Sequence, residues 1–213
     1  MMKILVIGAS GRVGSDLVEK LLAVNHQVIG TTRQDKQLFD ADNYSQLNLD
    51  ITADKDDIQS QMDDDIDAVY FVAGSGGKEV LEVDLHGAVK TMQAAQDKGI
   101  TRYIMLSTVF SLDTKKWDNS AIADLKGYYI GKHYADEWLV NDSTLNYTLV
   151  QAGALKERAG TGKITVNSPE AGENAIADVA ATLVAVLSAD SASKKVFHIQ
   201  NGETPIKEAV ADL

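Results

Sequence analysis

The segment Lys3-Ile-Leu-Val-Ile7 runs directly into Gly8-Ala9-Ser10-Gly11-Arg12-Val13-Gly14. This junction restricts the fold more than any other stretch of the chain. The apolar run from Ile4 to Ile7 reads as a strand buried on both faces, and Gly8 ends it. Val13, Leu17, Val18, Leu21 and Leu22 then recur at helical spacing. A buried strand, a glycine turn and an amphipathic helix, in that order, open a βαβ unit. Each glycine has a physical reason to be there. Gly8 permits the tight turn off the strand, Gly11 lets a ligand approach the backbone, and Gly14 lets the helix lie close to the sheet. The start of such a helix offers free N–H groups and partial positive charge, which suits a phosphate.

The remaining chain repeats the alternation. Strands are expected at Gln27–Thr31, Gln46–Leu49, Asp67–Val72, Arg102–Leu106, Tyr147–Val150 and Val196–Ile199. Helices are expected over Ala53–Met62, Val80–Lys98 (with Gly99 as its stop), Tyr128–Val140 and Ala175–Leu187. Strand-helix alternation implies an α/β fold: a Rossmann-type, doubly wound parallel sheet with helices on both faces. The 213 residues suffice for one domain, 1–213, in which 151–213 form a small substrate-side lobe. Ligands of such sheets sit beyond the carboxyl ends of the strands, which sets a test for every candidate residue.

Composition narrows the function. A net charge of -11 argues against a nucleic-acid partner. The acidic run Asp63-Asp64-Asp65-Asp67 reads as a solvated turn. The chain has no cysteine, hence no disulfide, thiolate nucleophile or Cys-ligated zinc, and a cytoplasmic location is expected. The first apolar run is too short for a membrane span, so no membrane partner is expected. His26, His86, His133 and His198 lack metal-ligand spacing, so no metal is expected. A Gly-x-Ser-x-Gly elbow is also missing.

The glycine loop, in its strand-loop-helix context, points to a dinucleotide. NAD sites usually place an acid at the end of the second strand for the ribose hydroxyl. Here that strand runs into Thr31-Thr32-Arg33, with no acid before Asp35. A guanidinium at Arg33 suits a 2′-phosphate, and Arg12 is expected to clamp that phosphate from the other side. NADP(H) is therefore expected in preference to NAD(H). Ala73-Gly74 ends the fourth strand with small residues that leave room beside the cofactor ribose.

Tyr128 and Lys132 lie one helical turn apart on one face. Carbonyl reduction requires a hydride and a proton. An ammonium near a phenol would lower its pKa from about 10 and ease proton exchange.

The Gly-x-x-Gly-x-x-Gly spacing resembles the loop of the extended and atypical short-chain dehydrogenase/reductases. Tyr128-Tyr-Ile-Gly-Lys132 matches that superfamily's Tyr-x-x-x-Lys pair. His133 to Leu139 and Leu145 to Val150 are similar to the atypical NAD(P)H-binding subgroup. That subgroup includes biliverdin/flavin reductase-like enzymes and NmrA-like redox sensors. The resemblance spans nearly the whole chain. It implies that Gly8, Ser10, Gly11, Arg12, Val13, Gly14, Thr32, Arg33, Ala73, Gly74, Lys132 and Gly153 meet the cofactor. It also implies that Asp50 approaches the adenine amino group while Ile51 packs on the ring. Ser107 or Thr108 would orient the substrate oxygen, beside a catalytic Tyr128 and Lys132. One departure stands out: the subgroup's Arg-Pro-Gly after the sixth strand is Gln151-Ala152-Gly153 here.

The stretch from Phe110 to Lys126 reads as a loop over the pocket, with Phe110 and Trp117 as an apolar wall. The expected activity is reduction of a small carbonyl, quinone or flavin-like substrate by a monomer or homodimer. The alternative is a non-catalytic NADP(H) sensor that binds a protein partner.

Overall fold

The computed structural model describes residues 1–117 and 124–213. The first half runs β1 (Lys3–Ile7), α1 (Arg12–Ala23), β2 (Gln27–Thr31), β3 (Tyr44–Leu47), α2 (Lys55–Gln61) and β4 (Ala68–Phe71). A π-helical segment (Val80–Gly87) then leads into α3 (Ala88–Asp97), followed by β5 (Arg102–Thr108) and α4 (Lys126–Glu137). After β6 (Asn146–Ala152) come β7 (Ala154–Lys156), β8 (Lys163–Val166) and β9 (Glu173–Ala175). The chain closes with α5 (Ile176–Ala185), β10 (Lys195–Asn201), β11 (Thr204–Pro205) and α6 (Ile206–Ala211).

Nine strands form one sheet in the order β11-β8-β10-β6-β5-β4-β1-β2-β3. The strands from β3 across to β10 are parallel. Among the described strands of this sheet, β8 alone runs against the others, pairing antiparallel with β10 on one side and β11 on the other. β7 and β9 pair as a separate parallel ribbon. Strand order reverses between β1 and β4, so a crevice opens beyond their carboxyl ends.

Alternation along each strand builds two cores. Ile4 and Val6 of β1, Tyr70 of β4 and Ile104 of β5 face α1, α5 and α6. Leu5 and Ile7, with Phe71 and Met105, face α2, α3 and α4. The period of two in strands explains the division, and burial on both faces explains why β1 is apolar throughout. Polar groups also tie the sheet to the helix α5. Arg102 sends Nε to the Leu187 carbonyl at 3.2 Å and Nη2 to that of Val186 at 2.6 Å, just past the end of α5. A cation there satisfies carbonyls that have no partner within the helix.

The fold class is the one expected from sequence, and several boundaries differ. The third strand lies at Tyr44–Leu47, two residues earlier than expected. The long helix expected over Val80–Lys98 is divided, because its first part takes wider π turns. Those turns seat Gly87 beside Ile51, whose Cγ1 would lie 3.2 Å from a Cβ at that position. The short strands β7, β8, β9 and β11 have too few residues to show a period. Within the loop expected between Phe110 and Lys126, a 3₁₀ turn covers Thr114–Lys116, and residues 118–123 lie outside those described.

Leu5 and Leu17 are fully buried, one in each core. Leu5→Ala and Leu17→Ala are each expected to cost about 2–5 kcal/mol through lost transfer energy and an unfilled cavity. Urea unfolding of the two variants measures this, and a loss well under 1 kcal/mol would mean that face is not packed as described.

Candidate functional site

The phosphate cradle is built by contacts between backbones. Gly8 has φ +96°, a conformation that side chains rarely adopt, and a Cβ there would lie 2.6 Å from the Ala73 nitrogen. The loops after β1 and β4 therefore touch at the crevice. A Cβ on Gly14 would collide with the carbonyl oxygen of Gly8. Gly8 N–H donates to Thr31 Oγ1 at 3.1 Å, and Ala9 N–H to the Thr31 carbonyl at 3.2 Å, so the end of β2 fixes the turn. Gly11 caps α1 without any side-chain hydrogen bond, and no acid occupies the first turn. The leading N–H groups of α1 are thus left to face a ligand, and the helix dipole favours an anion. Ser10 and Gly11 are exposed at this mouth, whereas Val13 is buried and holds the helix to the sheet.

At the end of β2, buried Thr32 accepts the N–H of Gln34 at 3.1 Å and so shapes the turn that presents exposed Arg33. Asp50 follows β3. Its carboxylate accepts Thr52 Oγ1 at 2.7 Å and Thr52 N at 2.9 Å. Those bonds, helped by Arg33 and Lys90, hold Asp50 below the usual carboxylate range. Lys90 pins the same loop through the carbonyls of Thr52, at 2.8 Å, and Ala53, at 2.6 Å. Ile51 packs at the edge of the core formed with α2, α3 and α4.

Arg12 pairs with Glu157 at 3.5 Å, beyond β7, while Arg33 lies close enough to Asp50 to affect its charge. Residue 12 opens α1, and its exposed side chain leans towards the β7–β9 ribbon. Gly153 also has a packing reason: a Cβ would strike the Gly172 carbonyl oxygen of that ribbon.

The third part of the site is buried and polar. Lys132 is 2% exposed, and its Nζ donates to the Leu106 carbonyl at 3.3 Å. The ammonium also lies 5.9 Å from the centroid of the Phe71 ring. Asp136, one turn further along α4, is fully buried. Its Oδ2 accepts Ser107 Oγ at 2.6 Å and also the hydroxyl of Ser111, and Gln151 Nε2 donates to that same Ser111 hydroxyl at 2.6 Å. Gln151, the departure noted above, is therefore a member of this network. Thr108 turns the other way, with Oγ1 3.3 Å from the Tyr129 hydroxyl. Of the two strand-end hydroxyls, Ser107 is thus committed to Asp136 and Thr108 to Tyr129.

Tyr128 is half-buried on α4. Burial, followed by the charges of Asp84 and Asp136 and by Tyr129, raises its phenol above the ordinary value. The expectation that Lys132 would lower it is not met. Burial is the larger cause, because dry surroundings favour the neutral phenol. Burial in turn pushes Lys132 down, against the pull of Asp136 and Asp84. Asp84, on the π-helical segment, accepts Ser75 N at 3.1 Å and Ser75 Oγ at 2.5 Å, which shapes the loop after Ala73-Gly74.

Asp84, Ser111 and Asp136 were not read from sequence as site residues. Asp136 carried a usable signal, since it continues the Tyr128 and Lys132 face by one more turn. Asp84 carried none, because its face depends on the π turns. Phe110, expected as a pocket wall, has φ +61° and meets the His198 ring edge-to-face at 4.9 Å. Trp117 donates Nε1 to the Phe110 carbonyl at 2.9 Å and meets Tyr129 with ring centroids 5.8 Å apart. These contacts join the loop to α4.

The strand order, the glycine cradle and the helix carrying Tyr128 and Lys132 define a dinucleotide-binding Rossmann domain. A family model described as NAD(P)H-binding matches residues 8–190, and the chain belongs to that family. The crystal structure of the oxidoreductase YlbE from Lactococcus lactis is similar, with 40% identity and a TM-score of 0.96 over 100% of this chain and 96% of that one. A Bacillus subtilis (strain 168) protein, YhfK, named as an uncharacterized sugar epimerase, is 34% identical over 221 residues, with both chains fully covered. The Saccharomyces cerevisiae protein YMR090W is 34% identical over 233 residues, covering 100% of this chain and 99% of its own.

Gly14→Ala tests the cradle. The added methyl must displace the Gly8 carbonyl, and overpacking of this kind costs about 1–3 kcal/mol. Nicotinamide-nucleotide affinity, read by fluorescence titration, is expected to fall about tenfold or more. Unchanged affinity would mean that the loop does not hold the nucleotide.

Proposed function

We propose that this protein is an NADP(H)-dependent oxidoreductase that reduces a small carbonyl, quinone or flavin-like substrate. The carrying observation is Lys132. Among the described residues, its buried ammonium has a single hydrogen-bond acceptor, the Leu106 carbonyl. A buried cation with donors to spare is costly unless a ligand completes it. Its place beside the crevice suits the hydroxyls of the nicotinamide ribose, with the diphosphate on the start of α1.

The bound cofactor supplies the hydride. Tyr128 supplies the proton to the developing alkoxide, as a neutral phenol. Burial raises that phenol and makes it a weaker acid than a free tyrosine, so it gives up its proton only to a strongly basic oxygen such as the developing alkoxide. Arg33, at the end of β2 with no acid beside it in the turn, supports NADP(H) over NAD(H). The small size of the substrate is supported by the lobe after β6, which has only about sixty residues, several of them in short strands. The description of YlbE as an oxidoreductase agrees with this reading, whereas YhfK and a Bacillus halodurans protein carry epimerase names. The location expected is cytoplasmic, and the assembly a monomer or homodimer.

NADPH consumption is to be measured over a panel of carbonyls, quinones and flavins. Tyr128→Phe is expected to lower kcat about 100-fold with nucleotide affinity unchanged. Tight NADPH binding with no turnover by the wild type would sink the enzyme reading and leave a redox sensor.

Arg33→Ala is expected to weaken NADPH binding about tenfold and leave NADH binding unchanged, since a charge-assisted hydrogen bond contributes about 1.5–3 kcal/mol. Equal affinity for both nucleotides, unmoved by the substitution, would contradict the NADP assignment.

A further inference from the structure

Asp84 and Asp136 approach Lys132 from different elements. Asp136 lies one turn beyond it on α4. Asp84 comes from the π-helical segment, which meets α4 where Val80 Cγ1 closes on Gly131. The two carboxylates are 1% and 0% exposed and the lysine 2%, so all three groups share a dry interior. Full ionisation would leave one negative charge in excess. The other groups facing Asp136 do not balance it. On α4 these are the phenols of Tyr128 and Tyr129, and His133, whose Nδ1 lies 2.9 Å from the Ser111 carbonyl. β5 and the turn after it contribute Ser107 and Ser111, and β6 contributes Gln151. A buried excess charge is expensive, and a group commonly takes up a proton to avoid it.

The geometry indicates which group does so. Asp84 takes both donors of Ser75. Asp136 has a buried Oδ1 with no hydrogen-bond partner. A bare oxygen is a poor place for charge, so the carboxyl form is favoured at Asp136. Burial accordingly pushes Asp136 up.

The next step rests on the cofactor reading above, with the nicotinamide beside Lys132. The oxidised nicotinamide ring is positively charged, and the reduced ring is neutral. We propose that the Asp84–Lys132–Asp136 cluster senses this difference: binding of the oxidised cofactor drives the Asp136 proton into solvent, and binding of the reduced cofactor does not. The step balances, because the O–H bond of the carboxyl breaks, its electron pair stays on the carboxylate, and the proton goes to water. The new carboxylate keeps the hydroxyls of Ser107 and Ser111 as donors, and the incoming positive ring offsets its charge.

The sign follows from linkage. The free protein holds the proton up to the raised pKa of Asp136, and the oxidised complex gives it up at lower pH. Affinity for the oxidised cofactor therefore rises with pH between those values and levels off above the higher one. The limit for one proton is about tenfold per pH unit. Oxidised and reduced cofactor share every phosphate, so phosphate titration cancels when the two are compared.

Titration calorimetry of the wild-type protein with NADP⁺ and with NADPH, each in buffers of different ionisation enthalpy, counts the protons directly. NADP⁺ is expected to release up to about one more proton than NADPH. Asp136→Asn, checked for folding by thermal unfolding, is expected to abolish the difference. If that variant does not fold, the wild-type proton counts decide alone. Equal counts for the two nucleotides, or a difference that persists in folded Asp136→Asn, would overturn the inference while leaving the cofactor reading intact. Failure of both nucleotides to bind would overturn the cofactor reading and this inference together.

Discussion

The close approach of three backbones at the mouth of the crevice governs the rest of the site. Gly8 turns at positive φ against Ala73, and Gly14 lies on the Gly8 carbonyl. No side chain fits at either glycine without moving the backbone. This contact sets the start of α1 directly over the gap between β1 and β4. It also brings the loop after β4, which Asp84 shapes through Ser75, to the cradle. The sheet underneath makes the contact possible, because its parallel order places both loops at the same end.

The polar interior beside the cradle follows a different logic. Lys132 is placed in the protein interior, where an ammonium is costly, and two carboxylates accompany it. The superfamily resemblance brings to mind a lysine acting on a tyrosine. In this chain burial, followed by the charge of Asp84, keeps the Tyr128 phenol neutral. Gln151 fits that arrangement. An arginine in its place would add a second buried cation next to Ser111 and Asp136, whereas the amide donates one hydrogen bond and brings no charge.

Several elements were legible because they are long and periodic. The apolar run of β1, the continuous burial of β5 and the helical spacing of α1 each extend over enough residues to be read. β7 and β9 are three residues each and exist because Gly153 and Gly172 let two segments meet, a contact far apart in sequence. The Arg12–Glu157 pair was not legible for a similar reason. Sequence placed Arg12 in the right loop, but the partner it reaches, Glu157, is set by how the ribbon folds back over α1.

Local chemistry alone determined the strand, the glycine turn and the helix from Lys3 to Ala23, since φ, Cβ size and hydrophobic period act within a few residues. It also determined that Tyr128, Lys132 and Asp136 share a helix face. Tertiary structure decided what that face means. Whether a phenol is acidic or a carboxyl protonated depends on the charges and the dryness around it. Asp84, the pair Ser107 and Ser111, and Gln151 arrive there from three separate parts of the chain. Electrostatics acts through space, so no spacing in the sequence could fix the sign of its effect on Tyr128.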